Sequence, residues 1–409
     1  MHPTASAEGP PLTRRGRSVL ALGFVVYAAA WIFGSKPLYP VAIGLLAVSL
    51  LSWLWVRRGN VPFRFHRRTR ETDVFEGEDV SVRLELEPLR AVPQTNVVVT
   101  ERIGRLGERR HVLRRFGRSL RIDYTLPGLA RGRYAFEDVR AELSDPFGLQ
   151  RIVVPLPSAG ALLVYPRLVR LERLFSDGGA GLREGRRLLL HRPAGFELHS
   201  VREYVQGESL RTVHWRSTAR RGELMVKELE DTPRDEIAVL LDGDARGAVG
   251  GSFDVQVRAA GSILDAYVRR GRRAVLIVNG ARRVSQQVRS SASDWRRALE
   301  LLAAAEANGR APLAALLAQE TGTAARALEL TVVTSQIDAK LADCLVDRAL
   351  SRRRVSLVYI DAPSFAGTRK PEPLLLRLQA ARIPVAVVRA GDDLRATLSQ
   401  EALAEAVHA

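Results

Sequence analysis

The sequence predicts a two-helix transmembrane hairpin, then a small antiparallel β-sandwich, then a doubly wound α/β domain. Three observations lead there: two uncharged apolar runs near the N-terminus, a set of short alternating runs after them, and apolar runs interleaved with helical patterns from Glu236 onward. At 409 residues the chain exceeds one ordinary core, since a domain holds roughly 100–200 residues. An apolar fraction of 46% against 26% charged supports packed cores and argues against long disorder.

Ser18 to Gly34 and Leu38 to Val56 contain no charged side chain, and at about 1.5 Å per residue each crosses most or all of a hydrocarbon layer of about 30 Å. Ser35, Lys36 and Pro37 are all that join them. Arg14, Arg15 and Arg17 precede the first run and Arg57, Arg58, Arg64, Arg67, Arg68 and Arg70 follow the second, against Lys36 alone between them. The positive-inside rule then places both ends in the cytoplasm. Trp31 and Tyr39 fall near the outer interface, Trp53 and Trp55 near the inner one. A cleaved signal peptide is the competing reading, because Ala28 to Ala30 are small, but the second run would still anchor the chain.

From about Val74 to Leu156 the runs alternate, as in Val80 to Leu86, where valine and leucine share one face and charge the other. That period marks half-buried strands. Further runs at Asn96 to Glu101, Ser119 to Tyr124 and Tyr134 to Leu143 make a small antiparallel sandwich the expected architecture.

From Glu236 the strands are expected at Ile237 to Leu241, Ala274 to Val278, Leu328 to Val333, Val355 to Ile360 and Val385 to Val388. Helices are expected at Phe253 to Arg270, Asp294 to Ala307, Ala339 to Ser351, Pro373 to Ala381 and Leu394 to Val407. Strands without polar alternation are buried on both faces, which points to a parallel sheet covered by helices.

Between these parts runs the stretch from Ala194 to Arg220. Gly207 supplies a turn, Ser209 can cap a helix from Leu210 to Arg221, and Gly222 can end it before a strand at Leu224 to Leu229. Its Gly195, Phe196, Arg202, Tyr204, Gly207, Arg211, Trp215, Ala219, Arg220, Val226, Lys227 and Glu230 strongly resemble the signature of the DUF58 family. The resemblance extends upstream through Arg131 to Tyr134, Asp145-Pro146-Phe147-Gly148-Leu149 and Val164-Tyr165-Pro166, and includes the hairpin. Glu208 stands where the family usually has Asp, and His214 where an acidic residue is common. The resemblance implies a von Willebrand factor A-like C-terminal domain and a working link to MoxR-type AAA+ ATPases. The expected layout is a tail at 1–17, the hairpin at 18–56 (spans 18–34 and 38–56), the sandwich at 57–166, the DUF58 signature region at 167–235 and the von Willebrand A-like domain at 236–409.

Two roles compete for the signature. In one, its arginines pair with nearby glutamates while Trp215 packs in the core. In the other, Arg202, Tyr204, Gly207, Arg211, Trp215 and Arg220 belong to a face that docks a protein partner, since Arg, Tyr and Trp dominate interface energetics.

A metal-binding von Willebrand A-type domain places D-x-S-x-S after its first strand, because Mg²⁺ needs hard oxygen ligands. Here the stretch reads Asp242-Gly243-Asp244-Ala245-Arg246. The expectation is a degenerate site in which Arg246 pairs with Asp242 or Asp244 and replaces the cation. The same D-x-D also suits a haloacid dehalogenase-like phosphotransferase, with Asp242 as nucleophile, Asp244 as general acid, Thr334 or Ser335 on phosphate, Lys340 as the cation and Asp392 or Asp393 completing a Mg²⁺ site. The missing Thr or Val after the pair counts against it.

No G-x-S-x-G elbow and no phosphate-binding G-x-x-x-x-G-K-[ST] loop occurs, so no catalytic residue and no cofactor are expected. Cys344 is the sole cysteine, which excludes an intramolecular disulfide and a cysteine metal cluster. A net charge of +17 favours anionic partners. Anionic membrane lipids are expected before nucleic acid, because no stretch interleaves basic residues with base-stacking aromatics, and a basic nucleic-acid-binding membrane protein stays as an alternative beside the phosphotransferase. The sequence thus reads as a bacterial multi-pass inner-membrane protein with a large cytoplasmic part that binds a protein partner and catalyses nothing.

Overall fold

Helix α1 (Arg14–Phe33) starts four residues before the uncharged run, because the Thr13 hydroxyl caps it by accepting from the Gly16 N–H at 3.0 Å. It ends at Gly34, whose left-handed backbone (φ 62°) returns its N–H to the Ala30 carbonyl. Helix α2 (Leu38–Gly59) runs back alongside it, with Gly23 against Leu45 and Leu46 and the Tyr27 and Tyr39 rings edge to face at 5.7 Å. Both helices are long and apolar enough to cross a membrane. The computed structural model describes residues 12–69, 73–90, 92, 95–116, 119–157, 160–179, 197–204, 213–230, 237–289, 291–318, 327–351, 353–368 and 372–399, in two compact units that divide between Tyr165 and Pro166.

The first unit continues with nine strands: β1 (Phe63–Thr69), β2 (Val74–Phe75), β3 (Val80–Pro88), β4 (Thr95–Ile103), β5 (Gly107–Phe116), β6 (Leu120–Leu126), β7 (Gly132–Ser144), β8 (Arg151–Leu156) and β9 (Ala161–Tyr165). One sheet has the order β1-β3-β6 and the other β2-β9-β7-β4-β5, with β8 beside β7. Every described pair is antiparallel except the two-residue β2 with β9, which runs parallel at the sheet edge. Val82, Leu84 and Leu86 of β3 and Val97, Val99 and Leu143 of β4 and β7 belong to one buried cluster. Strands β1 and β5 carry too much arginine to read as half-buried. Arg67 nevertheless turns inward, bonded to the fully buried Glu101 at 2.9 Å and lying 3.8 Å from the Phe136 ring centre.

In the second unit, β10 (Glu197–Glu203) pairs antiparallel with β11 (Met225–Glu230), and α3 (Trp215–Arg221) precedes β11. A six-stranded sheet follows, built from β12 (Ile237–Asp242), β13 (Ala274–Asn279), β14 (Arg283–Val288), β15 (Glu329–Thr334), β16 (Arg354–Ile360) and β17 (Val385–Val388) in the order β14-β13-β12-β15-β16-β17. All neighbours are parallel except the polar edge strand β14, which the apolar pattern does not reveal. Helices α4 (Ser252–Arg269) and α5 (Ala292–Ala304) pack on the face bearing Ile237, Val239 and Leu241. Helices α6 (Leu313–Leu317), α7 (Ala339–Leu350) and α8 (Pro373–Ala380) share a cluster with Ala238 and Leu240 on the other. The last helix among the described residues, α9, spans Leu394–Leu398 and stops at Ser399; the rest of the expected Leu394 to Val407 helix lies outside them.

Candidate functional site

Strand β12 is buried along its whole length and carries Asp242 to its carboxyl end, between β13 and β15. The chain leaves β12 in one direction and β15 in the other, so a crevice opens beyond the strand ends. A cleft of about 390 Å³ lies there, lined among others by Asp242, Asp244, Arg246, Ser335, Asp338, Tyr359 and Glu372. Four carboxylates facing one guanidinium make this an acidic recess in a basic chain.

Asp242 is 5% exposed. Its Oδ2 accepts from the Thr334 hydroxyl at 2.7 Å, and its Oδ1 accepts from the Asp244 N–H at 3.2 Å and from Asn279 Nδ2 at 3.4 Å. Burial pushes its carboxyl above the ordinary carboxylate value, and these hydrogen bonds offset part of that rise. Gln256 on α4 donates to the Asp242 carbonyl and to the Val333 carbonyl, tying β12 to β15. Gly243 is required by close approach, since a Cβ there would lie 2.8 Å from the Asn279 carbonyl oxygen.

The Arg246 guanidinium grips Asp244 through both ends, Nε to Oδ1 at 3.0 Å and Nη2 to Oδ2 at 2.6 Å, and the Arg246 N–H adds 2.9 Å to Oδ1. This holds the Asp244 carboxyl below its ordinary value, against the smaller opposing effect of its burial. Tyr359 faces the same cleft with its phenol pushed up to about 12, chiefly by burial. Of the residues proposed for phosphotransfer, Thr334 bonds Asp242 and Ser335 lines the cleft. Lys340, Asp392 and Asp393 are not among the lining residues; Asp392 accepts from the Arg389 N–H at 2.8 Å and Asp393 caps α9. Sequence reading missed Asn279, Gln256, Asp338, Tyr359 and Glu372; a polar residue ending an apolar run, as Asn279 does, was the one available signal.

In the signature region, Arg202 on β10 stands opposite Val226, and the Tyr204 N–H bonds the Leu224 carbonyl at 2.9 Å. Val213, Met225 and Val226 are buried, and the His214 N–H reaches the Met225 carbonyl at 2.7 Å, which seats α3 on β11. Gly222 ends α3 in a left-handed conformation, as its position suggests. The helix itself begins at Trp215 rather than Leu210, and Trp215 does not pack in the core: it is 66% exposed, with Arg216 and Arg220 also exposed. Gly195, Phe196, Gly207, Ser209 and Arg211 lie outside the described residues.

Comparison with known proteins places this region. Residues 200–363 match the family model described as "Protein of unknown function DUF58", a span that includes α3, β12 and the cleft residues from Asp242 to Asp338. Over a longer stretch the chain is similar to "Uncharacterized protein YeaD" of Bacillus subtilis (strain 168), 24% identical over 344 residues, which is 80% of this chain and 83% of that protein. Among solved structures, the C-terminal domain of wzt aligns with a TM-score of 0.20 at 10% identity, covering 27% of this chain and 77% of that one. Cwp6 from Clostridium difficile aligns with a TM-score of 0.17 at 8% identity, covering 79% and 45%. Likenesses this slight bear on neither fold nor site.

Proposed function

We propose that this chain is a membrane-anchored, non-catalytic adaptor whose cytoplasmic second unit docks a protein partner through the helix that begins at Trp215. The observation that carries the reading is the exposure of Trp215 beside Arg216 and Arg220. A large aromatic left in water costs hydrophobic free energy, and Trp and Arg are the residues that most often anchor an interface. Following the resemblance, the partner is a MoxR-type AAA+ ATPase, which would supply the nucleotide chemistry that this chain has no motif for. The two apolar helices with arginines at both outer ends favour an inner-membrane hairpin with both ends cytoplasmic, and the basic surface favours anionic lipid.

We read the second unit as von Willebrand A-like. A central parallel sheet with an antiparallel edge strand and a D-x-D-x-R stretch after β12 supports this. The donor set does not suit Mg²⁺, because a guanidinium already neutralises Asp244 and both oxygens of Asp242 are engaged. That engagement also supports a positioning role for Asp242 over the nucleophilic role a phosphotransferase would need.

The test is a pull-down from native membranes with the intact chain and a folded Arg211→Ala, Trp215→Ala double variant, bound proteins being identified by mass spectrometry. Enrichment of an AAA+ ATPase by the intact chain and its loss in the variant are expected. Equal recovery by both would remove the docking role from this face.

A further inference from the structure

The turn Asp145-Pro146-Phe147-Gly148-Leu149 between β7 and β8 is fastened to the hairpin, and no part of the adaptor reading uses it. Its fastening starts from Asp145, which is fully buried. One carboxylate oxygen accepts from the Gln150 N–H at 2.6 Å, while the other accepts from the Phe147 N–H at 2.9 Å and from the hydroxyl of Ser52 on α2 at 3.2 Å. A buried carboxylate is tolerated because it is met by several donors. At the start of α1 the contact is closer still. The Thr13 hydroxyl bonds the Gly148 carbonyl at 2.8 Å, the Thr13 N–H bonds the Leu149 carbonyl at 3.0 Å, and Leu12 pairs with Gln150. Gly16 is required there, since any Cβ would overlap the Leu149 carbonyl oxygen.

These contacts fix the depth of the turn. Gly16 lies just before the uncharged run that begins at Ser18, and Ser52 lies one turn before the end of the run that closes at Val56, next to Trp53, so both stand at the arginine-flanked end of the hairpin. Arg57 lies 5.0 Å from the Trp53 ring centre, a pairing that suits the headgroup boundary. With its backbone held against both helices, the turn presents Pro146 and Phe147 outward, Phe147 being 67% exposed.

We propose that this turn is an interfacial foot: Phe147 inserts into the headgroup–acyl boundary of the inner leaflet and seats the first unit directly on the bilayer. The proposal rests on the membrane-anchor reading. Its chemistry is that of an apolar side chain flanked by cations, with Arg14, Arg17, Arg57 and Arg58 placed to meet lipid phosphates while Phe147 leaves water.

The test uses the full chain with Cys344→Ala, reconstituted in vesicles of phosphatidylethanolamine and phosphatidylglycerol. An environment-sensitive fluorophore is attached at Phe147→Cys, at Pro146→Cys, or at Leu50→Cys in α2, and nitroxide-labelled lipids quench it from a shallow or a deep position. The expected result is blue-shifted emission and loss of fluorescence at 147 and 146, stronger with the shallow nitroxide, and stronger quenching by the deep nitroxide at 50. Water-like, unquenched emission at 146 and 147 with quenching at 50 would overturn the foot and leave the anchor standing. Unquenched emission at all three positions would overturn both. Because Pro146→Cys leaves Phe147 in place, a misfolded Phe147 variant cannot decide the outcome.

Discussion

Asp145 in the first unit and Asp242 in the second are built alike and serve differently. Each is a buried aspartate at a strand end, each accepts a backbone N–H from two residues onward, and each accepts a hydroxyl from a distant element, Ser52 for one and Thr334 for the other. Around Asp145 the ring of donors closes on a turn, and the carboxylate fastens two parts of a fold. Around Asp242 the donors leave the strand end beside a cleft, whose second carboxylate, Asp244, is held by an exposed arginine. A buried acid is therefore not a site by virtue of burial; what distinguishes the two is the recess next to the second.

The largest effect is expected at the closed node. Asp145→Ala leaves two backbone N–H groups and a hydroxyl without their acceptor, and should cost about 3 kcal/mol or more. Chemical unfolding of the detergent-solubilised chain measures this, and an unchanged midpoint would mean that the turn is held by something else.

The second node should show itself through pH. Burial raises the Asp242 carboxyl, so the folded state binds its proton more tightly than the unfolded state does, and stability falls as pH rises from the ordinary carboxylate range through the raised value. Asp242→Asn should flatten that fall while losing about 1 kcal/mol at the acidic end. Asp244 has the opposite sign, contributing stability above its ordinary value that is lost as pH falls through its lowered one. Unfolding midpoints of the parent and Asp242→Asn over this pH range check the slope; identical slopes would contradict the assignment.

A smaller change is expected from Arg246→Ala. Freed from the guanidinium, the Asp244 carboxyl should titrate closer to its ordinary value by NMR, and calorimetry should detect weak Mg²⁺ binding in the variant but none in the micromolar range in the parent. Micromolar binding by the parent would contradict the replacement of the cation by Arg246.

Legibility followed the same division between closed and open parts. The helices of the hairpin were readable because their apolar runs are unbroken by charge, and the parallel strands of the second unit because their burial is continuous: five runs from Ile237 to Val388 coincide with strands to within a residue or so. Strands β1 and β5 were not, because they carry arginine and other polar groups whose burial depends on a partner such as Glu101, and β14 was not, because it is a largely exposed polar edge strand. The D-x-D-x-R stretch pointed correctly to the pairing of Arg246, though it left open which aspartate would receive it. Asn279 and Gln256 were invisible as site residues, since only the sheet order and the packing of α4 bring them to Asp242. Trp215 was ambiguous for a related reason: an aromatic next to arginines fits a core or a docking face equally until its exposure is known.

The smallest stability effect and the largest functional one should coincide at Trp215, whose replacement by Ala is expected to change folding stability by no more than about 0.5 kcal/mol. The most direct test of the adaptor account is the affinity of a purified MoxR-type AAA+ ATPase for the full chain in lipid nanodiscs, comparing the parent, Trp215→Ala and Asp242→Asn. The account predicts a loss of roughly tenfold or more for Trp215→Ala and parental affinity for folded Asp242→Asn. Unaltered binding by Trp215→Ala, or loss confined to Asp242→Asn, would move the docking site from the helix to the cleft and contradict it.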